Sequence, residues 1–196
     1  MTEGRQRSVF VGRCSSGVVE AIFRLHFPDA RTVADLTYGR GAFWKWPHNL
    51  EITGFDLERR GTDGRDGTGR YDVAVVDPPF RHSRSPTPST IKLEDDFRGL
   101  SSQAAITELY EALIAQASTL AHGIIVKTKD TIERGRFVDR RGSIAALLAD
   151  YYNLVDVAVF VPSIVLSDDP KWIRQLHFRR QESYFLVGKN NGTGHA

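Results

Sequence analysis

The stretch Tyr71 to Phe80, YDVAVVDPPF, constrains the fold more than any other part of this chain. Val73, Ala74, Val75 and Val76 are apolar at consecutive positions, so an extended strand here would need both faces dry. That is the condition of a strand inside a parallel sheet covered on both sides. Two prolines then fix φ and withdraw two N–H donors, so the strand must stop near Asp77. GIIVKT (Gly123 to Thr128) has the same two-sided character. TVADL (Thr32 to Leu36), EITGF (Glu51 to Phe55), VDVAVFV (Val155 to Val161) and SYFLVG (Ser183 to Gly188) read as further strands.

Helical periodicity fills several of the gaps. SSGVVEAIFRLHF places Val18, Val19, Ile22, Phe23 and Leu25 on one face, with Ser16 as the expected N-cap. Ala104 to Ala121 and Gly142 to Tyr152 give two more helices. Strands alternating with helices predict an α/β domain: a single Rossmann-like unit with a mostly parallel central sheet. The last two strands lack a long helix between them, which predicts an antiparallel strand at the sheet edge. The domain is expected over 8–190, with polar tails at 1–7 and 189–196.

Composition narrows the function classes. The 196 residues contain a single cysteine, Cys14, so an internal disulfide framework and a cysteine-rich zinc site are excluded. No metal site is expected. There is no apolar run of membrane-spanning length and no signal-peptide pattern at the N-terminus, so a cytoplasmic protein is expected, with no membrane partner. The formal charge is only +2, but 20 of the 26 basic residues are Arg, the side chain suited to planar contact with phosphates and bases. A GC-rich genome would inflate Arg equally well.

DLTYGRGAFW (Asp35 to Trp44) is a glycine-rich turn after an apolar strand. Gly39 and Gly41 permit positive φ and close approach of a ligand to the backbone. Asp56 follows the next strand 21 residues after Asp35, the spacing at which an acid can bind ribose hydroxyls. A third glycine is missing, because Trp44 stands in its place, and no P-loop is present. A nucleoside cofactor without phosphates, S-adenosylmethionine before others, fits better than a dinucleotide.

Asp77-Pro78-Pro79-Phe80 carries the more specific chemistry. An exocyclic base amine has its lone pair delocalised into the ring. The Asp77 carboxylate and the Pro78 carbonyl can accept its two N–H bonds, draw the nitrogen towards sp³ character and aim the lone pair at a methyl donor. Phe80 can stack on a base flipped out of a duplex.

With these residues in place the chain resembles the amino-group class of S-adenosylmethionine-dependent DNA methyltransferases. Their catalytic motif is [DNS]PP[YFW], and an Asp in first place is typical of adenine N6 enzymes. The order of segments resembles the gamma arrangement, and GIIVKTKD and RQLHFRRQESYFLVGKN resemble the fifth strand and final hairpin of small bacterial and phage members. The resemblance implies Asp77, Pro78, Pro79 and Phe80 as catalytic residues. It implies a cofactor site of Ser16, Asp35, Thr37, Gly39, Gly41, Asp56 and Asp66. The first motif departs from the family's DPFxGxG and ExGxGxG forms.

No separate target-recognition domain is visible. Specificity would come from the loop 81–103, from the final hairpin, from a partner protein or a second copy of the chain, or would hardly exist. Arg81, His82, Arg84, Lys127, Arg179 and Arg180 are the expected nucleic-acid contacts, and DNA is the expected partner. An RNA adenine methyltransferase and a catalytically silent nucleic-acid-binding subunit are the competing readings.

Overall fold

The structure, a computed structural model, describes residues 9–55, 70–78, 103–133, 135–163 and 182–190. Seven strands form the main sheet: β1 (Val9–Gly12), β2 (Thr32–Asp35), β3 (Glu51–Gly54), β4 (Tyr71–Val76), β5 (Ala121–Thr128), β8 (Tyr152–Pro162) and β9 (Ser183–Asn190). A small hairpin, β6 (Thr131–Glu133) with β7 (Arg136–Val138), follows β5. Among the described residues three α-helices accompany them: α1 (Ser16–His26), α2 (Gln103–Leu120) and α3 (Arg140–Ala149). The strand order is β1-β8-β9-β5-β4-β2-β3, and only β9 runs antiparallel to its neighbours. This is a Rossmann-like α/β sheet.

The order reverses at β2. Its chain successor β3 lies on one side and β4 on the other. In open α/β sheets the crevice outside the carboxyl ends of the strands at such a switch point is where ligands bind.

Alternation along the strands sorts the core into two layers. Ala34, Leu36, Ala74, Val76, Ile124 and Val126 face α2 and α3. Val33, Val73, Val75, Ile125, Phe185 and Val187 face the α1 side. Val73 to Val76 are wholly buried, as the apolar run requires. Each large aliphatic side chain so buried contributes roughly 1.5–3 kcal/mol. At the amino end of the sheet, Asp72 Oδ2 accepts hydrogen bonds from the backbone N–H of Arg31 and Thr32, which sets β4 against β2.

Three expectations need correction. The antiparallel strand is not at the edge: β9 lies between β5 and β8, and β1, unforeseen from the sequence, takes the edge beyond β8. The inward position suits SYFLVG, whose Phe185, Leu186 and Val187 are fully buried and would be half-exposed at an edge. Second, Ser16 is not the N-cap. Ser15 holds that place, and its carbonyl accepts from Val18 and Val19 N–H. Ser16 is already helical and its hydroxyl lies 3.0 Å from Cys14 Sγ. Third, the C-terminal tail does not begin at 189. Lys189 pairs with Gly123 and Asn190 with Tyr152, so β9 keeps both residues in the sheet.

Candidate active site

The site is built by strand register. Asp35 is opposite Val75, so Asp77 lies two residues beyond it on β4's path and on the same face of the sheet. Val76 is opposite Val126, which brings Asp77 beside Lys127. Asp35, Asp77 and Lys127 thus end three adjacent parallel strands, all on the α1 side, at the switch point.

Asp35 is 2% exposed. Its Oδ1 accepts from Thr37 N–H at 3.0 Å and its Oδ2 from Trp44 Nε1–H at 2.8 Å. Burial pushes its carboxyl up to about 6. The bonds from Trp44 and Thr37 oppose the rise, and the charge of Asp77 adds to it. The carboxylate therefore ties the glycine turn shut. Trp44, which stands where a dinucleotide motif would have its third glycine, both donates to Asp35 and packs edge-on against Phe23 of α1.

Thr37 joins the two motifs. Its hydroxyl accepts from Asp77 N–H at 2.7 Å and lies 3.5 Å from Asp35 Oδ1. Gly39 and Gly41 have φ of 50° and 63°. The two glycines serve different ends. A Cβ on Gly41 would come within 2.9 Å of Tyr38 Oη, so Gly41 makes room for Tyr38. Among the described residues, a Cβ on Gly39 would meet nothing nearer than Thr37 O at 3.8 Å, an ordinary contact. The Tyr38 ring lies over Gly54 at the end of β3, where a Cβ would fall 2.6 Å from Cγ.

Asp77 is set differently. Its Oδ2 accepts a hydrogen bond from Lys127 Nζ at 2.9 Å, with side chains 23% and 15% exposed respectively. Burial raises the Asp77 carboxyl, and Lys127 opposes the rise through its charge and hydrogen bond. The ammonium sits 5.1 Å from the Phe43 ring centroid and 5.9 Å from that of Phe185. Pro78 is buried directly after Asp77.

Lys127, expected as a nucleic-acid contact, is therefore turned inward onto Asp77. The reason is register: a cation ending β5 in phase with an acid ending β4 meets it across one strand spacing. The signal was present in the sequence, since VAVVD and IIVK both close an apolar run with a charge. Phe43 and Phe185, which flank the ammonium, carry no such signal.

Pro79, Phe80, Asp56, Asp66, Arg81, His82, Arg84, Arg179 and Arg180 lie outside the described residues. Ser16 stands at the start of α1, with Cys14 as its hydroxyl's partner. Asp130 accepts from Arg141 N–H at the start of α3. Among the described residues no group of three or more His, Cys, Asp or Glu side chains could hold a metal ion. No helix among them is long and apolar enough to cross a membrane.

No model of a known protein family matches the chain, and no curated protein matches it. Twenty-one chains of solved structures do. One is a methyltransferase subunit of a type I restriction-modification system from Streptococcus thermophilus (TM-score 0.47, 13% identity, 91% of this chain and 43% of that one). Another is the N-terminal domain of EvdMO1 in the presence of SAH and D-fucose (TM-score 0.44, 15% identity, 90% and 82%). A third is a Thermoplasma acidophilum protein (TM-score 0.40, 14% identity, 95% and 80%). The assignment of the fold rests on the sheet order and strand directions described above.

Proposed function

We propose that this protein is an S-adenosylmethionine-dependent methyltransferase acting on the exocyclic N6 amine of adenine in DNA. The observation that carries the reading is the placement of Asp77-Pro78 at the switch point, beside the glycine turn and tied to it through Thr37. A proline-stopped acid in that crevice is suited to hold an amine by its N–H bonds.

The turn fits a nucleoside cofactor. No described residue crowds Gly39, and the buried Asp35 beneath holds the turn in shape. Thr37, Gly39 and Gly41 would hold the cofactor from this side, with Asp56 on the ribose hydroxyls. When bound, S-adenosylmethionine supplies an electrophilic methyl group whose C–S electron pair leaves with the sulfur.

The protein's own part is positioning. Asp77 Oδ1 has no partner among the described residues and accepts one amine N–H. The Pro78 carbonyl accepts the other. Held by these two acceptors, the amine would keep its lone pair turned towards the glycine turn, and the proton it sheds would leave through Asp77 to solvent. Alignment of this kind supplies several kcal/mol, up to about 7–11 in ideal cases.

The test is transfer of label from S-adenosylmethionine to DNA duplexes, followed by digestion to nucleosides. Label in N6-methyladenine is expected. Label on cytosine overturns the adenine assignment, label on RNA of the same sequence alone overturns the polymer, and no transfer to any nucleic acid overturns the reading.

A further inference from the structure

We infer that Lys127 is a positioning residue of the methyl-transfer site: it fixes Asp77 as an ionised acceptor that presents Oδ1 to the substrate amine. The inference rests on the function proposed above and deepens it.

The physical problem at Asp77 is burial. A carboxyl taken out of water tends to keep its proton, and burial is the larger influence here. A protonated Asp77 would present a donor where an acceptor is needed. It would also rotate freely between two inequivalent oxygens. Lys127 answers both difficulties. Its charge, 2.9 Å away, favours the carboxylate, and its hydrogen bond occupies Oδ2 and leaves Oδ1 in one orientation.

Lys127 is itself held from several sides. Its ammonium lies against the faces of Phe43 and Phe185, whose rings are 5.9 Å apart. Its backbone carbonyl accepts from Tyr110 Oη–H at 2.9 Å on the opposite face of the sheet. Phe43 belongs to the short 3-10 turn (Ala42–Trp44) after the glycines. The turn that would hold the methyl donor thus also walls in the counter-ion of the acid that would hold the acceptor. A phosphate in contact with this ammonium would set a second anion beside Asp77, and like charges at that distance repel.

The other titratable groups that bear on Asp77 do not replace Lys127. Asp35 from β2 is an acid, whose own carboxyl the charge of Asp77 helps to raise, so it supplies no counter-charge. Tyr110 from α2 is a phenol that burial holds well above its ordinary range, so it stays neutral. Arg140 at the start of α3 donates to Gln103 and Glu133. Among the described residues, Lys127 is the cation hydrogen-bonded to Asp77.

The experiment compares wild type, Lys127→Met and Lys127→Arg in two measurements. The first is a carboxylate carbon NMR titration of the free protein, with the Asp77 signal identified by its loss in Asp77→Asn. The Asp77 midpoint should rise by about 1–3 pH units in Lys127→Met and return most of the way in Lys127→Arg, as expected for loss of a counter-charge within 4 Å. The second is the pH profile of kcat for methyl transfer to adenine DNA. Its acid limb should move up with the titration midpoint, with kcat recovering at high pH and the cofactor KM within about twofold of wild type, since the change acts through one ionisation. An unmoved Asp77 midpoint overturns the inference. So does a Lys127→Met enzyme whose only change is a higher KM for DNA, which would make Lys127 a nucleic-acid contact. If wild type transfers no methyl group to adenine, the function fails by itself, and the titration still decides the pairing. Should Lys127→Met not fold, Lys127→Gln removes the charge while keeping a donor, and the same outcomes apply.

Discussion

Asp35 and Asp77 end neighbouring strands on the same face of one sheet, yet the protein treats them in opposite ways. Asp35 is sealed, and both its oxygens are taken by neutral donors from its own turn. Asp77 is partly open, with one oxygen on a lysine and the other without a partner among the described residues. A carboxylate whose oxygens are both used internally can organise a site but has nothing left to offer a ligand. One held by a single counter-ion keeps an oxygen for work. The contrast fits an architectural part for Asp35 and the chemical part proposed above for Asp77.

The strongest way to break this comparison is Asp35→Ala. It orphans Thr37 N–H and Trp44 Nε1–H, each costing roughly 1–3 kcal/mol when left buried and unpaired. A chemical-denaturation midpoint should fall accordingly; a loss below about 1 kcal/mol would show that the turn does not depend on its acid.

Asp77→Ala should act on the reaction first. Turnover should drop at least ~100-fold, the scale of losing a charge-assisted bond that strengthens in the transition state. S-adenosylmethionine affinity by calorimetry should stay within about threefold, because the residue faces the acceptor and Kd changes of that size are under 1 kcal/mol. Because the variant removes the Lys127 Nζ–Asp77 Oδ2 pair, some stability should be lost as well. Turnover near normal would remove Asp77 from the chemistry.

The glycines offer a finer test. Gly41→Ala meets both a positive φ and the Tyr38 hydroxyl, and should cost about 1–2 kcal/mol of stability. Gly39→Ala pays a similar backbone cost but meets no close neighbour among the described residues, so it should weaken cofactor binding more than Gly41→Ala does. Equal binding losses in calorimetry would show that Gly39 does not face the cofactor.

The smallest effect is the proton on Asp35. Its folded-state value, about 6, lies above the ordinary carboxyl range near 3.8. The stability it contributes is therefore complete below about pH 3.8 and is lost as pH rises through about 6. Wild-type Tm should fall relative to Asp35→Asn across that window, and an NMR titration midpoint near 4 would show a solvated carboxylate instead.

Much of this was legible from residues alone. Consecutive apolar positions at 73–76 announce a strand buried on both faces, and Pro78 and Pro79 announce where it ends. The acid and the glycines after β2 mark a turn at a strand tip. Register was not legible, because it depends on which strands become neighbours. The sequence places Lys127 at the end of a strand but says nothing of Asp77 lying opposite. Likewise SYFLVG reads as a strand, while its seat between β5 and β8 depends on packing over both faces.

What the chain determined by itself is local: periodicity, the proline stop, the turn chemistry and the type of side chain at each strand tip. What only tertiary structure decided is which of those tips meet. Two carboxylates of the same type became a tie and an acceptor because one was buried against an indole and a backbone amide, and the other beside an ammonium. Burial and partner choice are set by neighbours distant in sequence, and those two influences govern what a charged group can do.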